Sequence, residues 1–258
     1  KKYLKLSEAD LSLINKMVFN DINHLVHNLE YVGKKTNNHI INNARALYVV
    51  GRLSKVKFAE IIGRNIIENE TDRLLPEGVL NEASSHYQLL LTRSYLEIYW
   101  FAFVTNDLML VSFLKKRISK MLNCCNDLIF EVNKKYEIPF IGDISPDYPP
   151  SFFCGYPFTL SKKYKYSPWS KIWGDFIEFE KILPKQSTYS NNSAITINNQ
   201  WIKNSFNNFD FIMLNKREDI ISHLHQDDGS FCLFYKKNPV IIDPGLTSYV
   251  WKNKISKF

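Results

Sequence analysis

A chain of 258 residues is long enough to bury a large core and to form one large domain or two of moderate size. Its hydrophobic content of 45% and aromatic content of 14% are typical of a globular protein and exclude a disordered chain. The net charge of +7 favours an acidic partner. The basic residues are spread along the chain without an RNA- or DNA-binding motif, so an acidic polysaccharide fits this charge as well as nucleic acid does.

The first half of the sequence has the apolar periodicity of amphipathic helices. Apolar residues recur at steps of three and four from Leu11 to Val32, and Ser7 followed by Asp10 is a suitable N-cap. The same spacing predicts four further helices, from about Asn38 to Leu53, from Lys57 to Asn69, from Asn81 through Trp100, and from Leu108 to Lys135. Five successive helices with short connections predict an α/α layer.

The composition changes at Ile138. Four prolines and one glycine end helical structure here and indicate a linker over 138–157. These residues are Pro139, Gly142, Pro146, Pro149 and Pro150. The sequence therefore divides into a helical part at 1–137, this linker, and a third part at 158–258.

The third part reads as β-structure. Short segments such as Ala194–Ile197 and Phe209–Leu214 predict strands, and Phe231–Tyr235 followed by Lys236-Lys237-Asn238 and Val240–Ile242 predicts a hairpin. Helices followed by strands, without alternation, predict separate α and β domains, an α+β multidomain chain.

Histidines and aspartates stand at both ends of this hairpin. Imidazole and carboxylate are usual zinc ligands, so the candidate set is His223, His225, Asp227 and Asp243. With the turn centred on Lys237, Asp243 faces Phe231, so the segment from Gln226 to Ser230 must fold back to bring the ends together. The alternative is a surface His/Asp cluster at a strand start.

No apolar run is long enough to span a bilayer, and no apolar segment follows the N-terminal lysines, so neither a transmembrane helix nor a signal peptide is visible. The four cysteines lack C-x-x-C spacing, and Cys124 and Cys125 are adjacent, which indicates free thiols. The compartment, periplasm or cytoplasm, stays open, and so does the oligomeric state.

Four stretches resemble one family in the order that the family requires. They are Asn37-Asn38-His39 with Asn43 to Leu47, Glu77-Gly78 with Glu82-x-Ser84-x-x-Tyr87, Ile141-Gly142-Asp143 with Ser145-Pro146-Asp147, and H-x-H-x-D-x-x-S-F from His223 with a later D-P-G and S-Y. This pattern is similar to that of the heparinase II/III-like polysaccharide lyases. The resemblance implies an incomplete (α/α) toroid followed by the start of an antiparallel β-sandwich, in the middle of a longer bacterial protein that we expect to be a fragment here.

The resemblance also implies a reaction, β-elimination on a uronate-containing polysaccharide. Such a reaction requires neutralisation of the substrate carboxylate, a base for the C5 proton and an acid for the leaving oxygen. Asn38 and His39 match the first role, and Tyr87 with His223 matches the others, in a cleft between the helical part and the β-part. Arg45 and Glu82 match residues that line the cleft and bind substrate.

Each of these residues also has an ordinary structural interpretation. Asn38 is a suitable helix N-cap, His39 a satisfied surface residue, and Tyr87 a half-buried aromatic residue on a helix face. His86 precedes Tyr87 and Gln88 follows it, whereas many relatives have a histidine after the tyrosine.

The resemblance further implies a structural zinc ion held by His225 and Asp243. Such a site takes one more protein ligand, typically a later histidine, and this chain has none after His225. Either the remaining ligand lies outside this sequence, or the two residues hydrogen-bond across the hairpin without a metal.

Two other functions stay open. One is a protein that binds a surface polysaccharide during its synthesis or export without cleaving it, because a fold does not determine a function. The other is a zinc hydrolase with His223, His225 and Asp243 as ligands and Asp227 or Asp228 as base.

Overall fold

The computed structural model of the chain describes residues 6–160, 165–174, 176–183, 195–197, 199–215 and 227–245. The chain divides into two compact units. The first comprises Lys1–Leu74 and Ser94–Phe113, and the second comprises Leu75–Arg93 and Leu114–Phe258. The domain bounds expected from the sequence stay a prediction.

Five long helices follow the predicted periodicity. They are α1 (Glu8–His27), α2 (His39–Leu53), α3 (Lys57–Leu74), α4 (Ser85–Val104) and α5 (Leu108–Leu128). The predicted N-cap of α1 is confirmed, because Ser7 Oγ accepts the N–H of Asp10 at 3.2 Å and Asp10 Oδ2 accepts the N–H of Ser7 at 3.0 Å. Together the two bonds form a capping box.

In the first unit, α1, α2 and α3 share an apolar core around Ile22, Leu47 and Ala59. Helices α2 and α3 approach closely at two glycines. A Cβ at Gly63 would lie 2.4 Å from the backbone nitrogen of Tyr48, and one at Gly51 would lie 2.6 Å from that of Glu60. Small residues therefore set the spacing of this helix pair.

Helix α5 ends at Leu128, seven residues before the predicted end at Lys135, so that prediction is wrong. A hairpin of β1 (Phe130–Val132) and β2 (Lys135–Glu137) follows instead. Asn133 and Lys134 both have positive φ, 49° and 63°, and form its two-residue turn. The apolar pattern changes to a period of two here, because Phe130 and Val132 are buried and Glu131 between them is exposed.

The predicted strands lie in one antiparallel sheet with the order β3-β4-β5-β6-β7. The strands are β3 (Ile195–Ile197), β4 (Trp201–Phe206), β5 (Phe209–Leu214), β6 (Phe231–Tyr235) and β7 (Asn238–Ile241). One face of the sheet contributes Trp201, Ile212, Cys232 and Phe234 to the core of the second unit. Two short helices precede the sheet, α6 (Pro168–Trp173) and α7 (Phe179–Ile182).

The β6–β7 hairpin differs from prediction in its turn. The turn has two residues, Lys236 and Lys237, with φ of 48° and 65°, so Tyr235 pairs with Asn238. An irregularity between Leu233 and Phe234 then restores the predicted register, and Leu233 pairs with Ile241. A tight turn with two positive φ values matches the twist of the strands, and a bulge absorbs the extra residue.

The predicted fold class is confirmed, since helices are followed by antiparallel β-structure. Across the described ranges, no helix is both long and apolar enough to cross a membrane. All four cysteines are free thiols, and the structure adds that all four are buried.

Candidate functional site

Tyr87 lies in the first turn of α4 and is half-buried. Ser84 precedes the helix, and its hydroxyl accepts the backbone N–H of Tyr87 at 3.0 Å. The same hydroxyl donates to the carbonyl of Asp143 at 2.6 Å. One side chain thus caps the helix that carries Tyr87 and attaches a distant segment of the chain to it.

The segment around Asp143 belongs to the predicted linker, and it packs against the start of α4. Ser85 donates its backbone N–H to the carbonyl of Ile141 at 3.1 Å and its hydroxyl to the carbonyl of Pro139. Ser145 donates its backbone N–H to Nδ1 of His86 at 2.9 Å. Because Ile141 and Ser145 are also buried, the segment forms a wall against the start of α4.

His86 lies fully buried within this packing. Its ring centroid is 6.4 Å from that of Tyr87 and 6.0 Å from that of Phe153. Burial lowers the pKa of the imidazole to about 4, although the charge of Asp147 acts in the opposite direction. Since Nδ1 accepts a hydrogen bond, we assign the neutral tautomer with its proton on Nε2.

Gln88 and Glu82 flank the same turn. The Gln88 side chain accepts the N–H of Leu80 at 2.6 Å and donates to the carbonyl of Gly78 at 3.0 Å. Gln88 therefore holds the backbone before α4. Glu82, a predicted substrate-binding residue, is 6% exposed.

Asn38 and His39 lie at the start of α2, in the first unit. Within the described part of the chain, the Asn38 side chain makes no capping hydrogen bond, and Asn37 Oδ1 instead accepts the N–H of His39 at 3.0 Å. His39 is exposed, and its Nδ1 lies 3.0 Å from Glu30 Oε1. Glu30 also accepts from Asn43 at 2.9 Å, and the hydrogen bond from His39 lowers the pKa of Glu30. Neighbouring groups thus orient the His39 ring.

Arg45, the other predicted substrate-binding residue, lies on α2. Its guanidinium forms an ion pair with Glu97 and lies 3.4 Å from Ser94 Oγ. About a quarter of the Arg45 side chain is exposed, 27%. Both partners belong to the first unit, so they orient Arg45 there.

Asp243 follows β7 and is held by hydrogen bonds to both carboxylate oxygens. Oδ2 accepts from the hydroxyl of Ser230, and Oδ1 accepts the N–H of Gly245 at 2.8 Å. Its own N–H donates to Cys232 Sγ at 3.4 Å. Each carboxylate oxygen keeps a second lone pair, and such anchoring is how proteins orient a ligating carboxylate, so Asp243 fits a metal ligand.

Residues 227–230 form a turn directly before β6. Ser230 donates its N–H to the carbonyl of Asp227 at 2.8 Å, and Gly229 has a φ of 84°. Asp227, one of the candidate ligands, accepts the N–H of Gly142 at 2.9 Å. The carboxylate therefore attaches this turn to the wall beside α4.

His223 and His225 lie outside the described residues, so the predicted catalytic set and the predicted zinc pair stay predictions. Asn38, His39 and Arg45 belong to the first unit, whereas Glu82, Tyr87 and Asp243 belong to the second. Among the residues that the structure describes, no three His, Cys, Asp or Glu side chains form a group suited to a metal ion.

Three residues of this site were missed by sequence reasoning as members of the site: Ser85, His86 and Ser145. Their hydrogen bonds join positions more than fifty residues apart, for which the sequence carries no local signal. Ser84 directly before the apolar run of α4 is an N-cap signal that the sequence does contain.

Solved structures share this fold. A crystal structure of heparinase III matches 95% of this chain and 40% of that chain, with a TM-score of 0.67 and 17% identity. The heparan sulfate lyase HepC from Pedobacter heparinus matches 95% of this chain and 38% of that chain, with a TM-score of 0.62 and 16% identity. A heparinase III with methylated lysines matches 92% of this chain and 36% of that chain, with a TM-score of 0.57 and 15% identity.

The chain thus spans at most 40% of the length of these structures. No protein-family model matches the sequence, and neither does a curated protein. At such identities the matches establish the fold, and the predicted resemblance is confirmed at that level.

Proposed function

We propose that this chain is part of a polysaccharide lyase that cleaves a uronate-containing polysaccharide by β-elimination. The observation that carries the proposal is the fold shared with heparinase III and heparan sulfate lyase structures over more than nine tenths of the chain. The proposal is supported by the position of Tyr87 in the first turn of α4, where Ser84 caps the helix, since proton transfer requires a precisely held group.

In this proposal Tyr87 takes part in proton transfer together with His223. One of the two removes the proton at C5 of the uronate, and the other protonates the oxygen that leaves C4. The capping bond from Tyr87 to Ser84 holds the backbone of the tyrosine, and its half-buried ring leaves part of the side chain accessible.

Asn38 and His39 neutralise the substrate carboxylate. The start of α2 favours an anion, because the first N–H groups of a helix and its dipole present positive charge. His39 is the more exposed of the two, with 47% of its side chain exposed, and its contact with Glu30 orients the ring. Arg45 and Glu82 keep their predicted place in the lining of the same cleft; Arg45, with 27% of its side chain exposed, is the one accessible to substrate, whereas Glu82 is buried.

We also propose that His225 and Asp243 hold a structural zinc ion, with a further ligand from outside this sequence. A zinc ion would contribute folding energy at the end of the β6–β7 hairpin. The two hydrogen bonds that orient Asp243 support its role as a ligand.

The decisive experiment is an assay of the complete protein against a panel of uronate polysaccharides that includes heparan sulfate. A lyase produces an unsaturated uronate, which we expect to detect by its ultraviolet absorbance. Saturated products that disappear on chelation would identify the hydrolase alternative. Binding without products would identify the non-cleaving alternative, and either result contradicts the proposal.

A further inference from the structure

His86 is a buried imidazole that joins two distant parts of the second unit. On one side it belongs to the first turn of α4, next to Tyr87. On the other side its Nδ1 accepts the N–H of Ser145 at 2.9 Å, and the two residues are 59 positions apart. Ser85 and Ser84 bond to the same segment at Pro139 and Asp143. The contact between His86 and Ser145 is the next one along the segment and lies at its opposite end from Pro139.

We propose that His86 is a positioning residue for Tyr87, because its neutral imidazole holds the segment from Pro139 to Ser145 against the first turn of α4. The role of Tyr87 in this inference rests on the function proposed above. His86 itself contacts the wall rather than the reacting atoms, so it acts through the backbone that carries Tyr87.

The chemistry of this contact requires the neutral ring. Nδ1 must accept, because the group that faces it is the backbone N–H of Ser145. Protonation would place an N–H opposite another N–H, and the hydrogen bond would be lost. His86 thus makes the wall sensitive to acid.

The surroundings of His86 favour the neutral ring at neutral pH. The side chain is fully buried, and the apolar ring of Phe153 lies beside it, with ring centroids 6.0 Å apart. Tyr87 presents its ring from the helix, and Asp147, just past Ser145, is the charge that favours protonation. Burial outweighs this charge and lowers the pKa to about 4.

The other ring nitrogen argues against a purely stabilising role. Among the described residues Nε2 is buried and has no hydrogen-bond partner. An unsatisfied buried N–H destabilises a fold, whereas an apolar side chain of similar size would avoid this cost. The presence of a histidine at position 86 is therefore better explained by the hydrogen bond that its Nδ1 accepts from Ser145.

Hydrogen exchange tests the contact without any assay of activity. The complete protein is compared with His86→Asn, whose Oδ1 takes the place of Nδ1 as an acceptor, and with His86→Leu, which has no acceptor. We expect the peptides that cover 139–147 and 83–88 to stay protected at pH 7 in the parent and in His86→Asn. In His86→Leu both peptides should exchange faster. Unchanged exchange in His86→Leu overturns the proposal.

Steady-state kinetics test the positioning role. His86→Leu should lower kcat about tenfold to a hundredfold with little change in KM, since small misplacements of a reacting group have effects of this size. His86→Asn should restore kcat at pH 7, because its Oδ1 offers the same acceptor to the N–H of Ser145. A kcat that is equal in the parent and in His86→Leu refutes positioning, even if the exchange changes.

The two proposals fail in different ways. A parent protein without lyase activity on any uronate polysaccharide contradicts the proposed function. In that case exchange of the 83–88 peptide still decides whether His86 holds the turn that carries Tyr87.

Discussion

Ser84 shows how much a single hydroxyl contributes to this site. It accepts the N–H of Tyr87 and donates to the carbonyl of Asp143, so the same atom ends the loop before α4 and secures the wall beside it. Ala83, just before it, has a φ of 56°, which turns the chain sharply into the helix. The hydroxyl of Ser84 consequently links the backbone of Tyr87 to the backbone of Asp143.

Tyr87→Phe tests the proposed chemistry at this residue. We expect it to lose nearly all turnover while substrate binding changes little, because the ring keeps its packing and the lost hydroxyl takes part in proton transfer. Loss of an acid or base typically lowers the rate about 10²–10⁴-fold. Tyr235→Phe, on the exposed face of β6, is the matched control and should keep the parent rate. A Tyr87→Phe variant with more than about half the parent rate would assign the chemistry elsewhere.

His86 predicts a loss of stability in acid. Its pKa is lowered from 6.5 to about 4 in the folded protein, so between these values the unfolded chain binds more protons than the folded one. The stabilisation is complete above about pH 6.5 and is lost as the pH falls toward 4, by about 2–3 kcal/mol at pH 4.5. Urea unfolding of the parent and of His86→Leu at pH 7 and pH 4.5 measures it. Equal pH dependence in both proteins would contradict the prediction.

At the scale of elements, the segment from Pro139 to Asp147 and the start of α4 approach so closely that glycine is required at one position. Gly142 has a φ of 76°, and a Cβ there would lie 2.8 Å from Ser84 Cα and 2.9 Å from the carbonyl oxygen of Ala83. Its N–H also donates to Asp227, which attaches the turn before β6. Three elements therefore meet at this glycine.

Gly142→Ala should destabilise the protein by about 2–4 kcal/mol, since a left-handed alanine costs about 1 kcal/mol and crowding adds about 1–3 kcal/mol. Gly229→Ala separates the two causes. It has a similar φ of 84°, but a Cβ there meets no described atom within 4 Å, so we expect a loss of about 1 kcal/mol. Thermal unfolding measures both variants. An equal loss of stability in both variants would show that the close approach of Gly142 to Ser84 does not contribute to the effect.

The sheet is attached to the helical elements of its own unit by a lysine. Lys203 on β4 donates to the carbonyl of Asp127 at 2.6 Å, and its ammonium lies 4.5 Å from the centroid of the Phe130 ring. Desolvation lowers the pKa of Lys203, while the charge of Asp127 opposes that shift. The end of α5 and the β1 strand thus meet the sheet through a half-buried cation.

At the scale of the whole molecule, the chain corresponds to at most 40% of the heparinase structures that it matches. Its activity and the proposed zinc site are therefore tested on the complete protein. Asp243 is the described member of the proposed zinc pair, and two hydrogen bonds orient its carboxylate.

The zinc proposal predicts different behaviour for two neighbouring histidines. The complete protein should bind about one equivalent of zinc, and His225→Ala should lose both the metal and thermal stability, because a structural site contributes to folding. His223→Ala should keep the metal and lose activity. Elemental analysis of both variants distinguishes the outcomes. Equal zinc loss in both would favour the hydrolase, and a parent without zinc would leave Asp243 as a plain hydrogen-bonded carboxylate.

Local patterns predicted the five long helices and the strands of the sheet, but they missed the end of α5 and the β1–β2 hairpin. The steps of three and four predicted the helices, Ser7 followed by Asp10 predicted the N-cap of α1, and short apolar and aromatic segments predicted strands such as Phe209–Leu214. These features depend on neighbours within a few residues, so they can be predicted from a single sequence.

The wall beside Tyr87 followed from the tertiary structure alone. Proline and glycine correctly indicated that no α-helix runs through residues 138–157, which hold only a short 3-10 helix at Pro150–Phe152, but they do not distinguish an exposed linker from one that packs against a helix end. The partners of His86 and Ser84 lie 59 residues away, and Ser145 donates a backbone group that every residue except proline possesses. Long-range contacts of this kind are selected by packing of the whole unit, which no local pattern encodes.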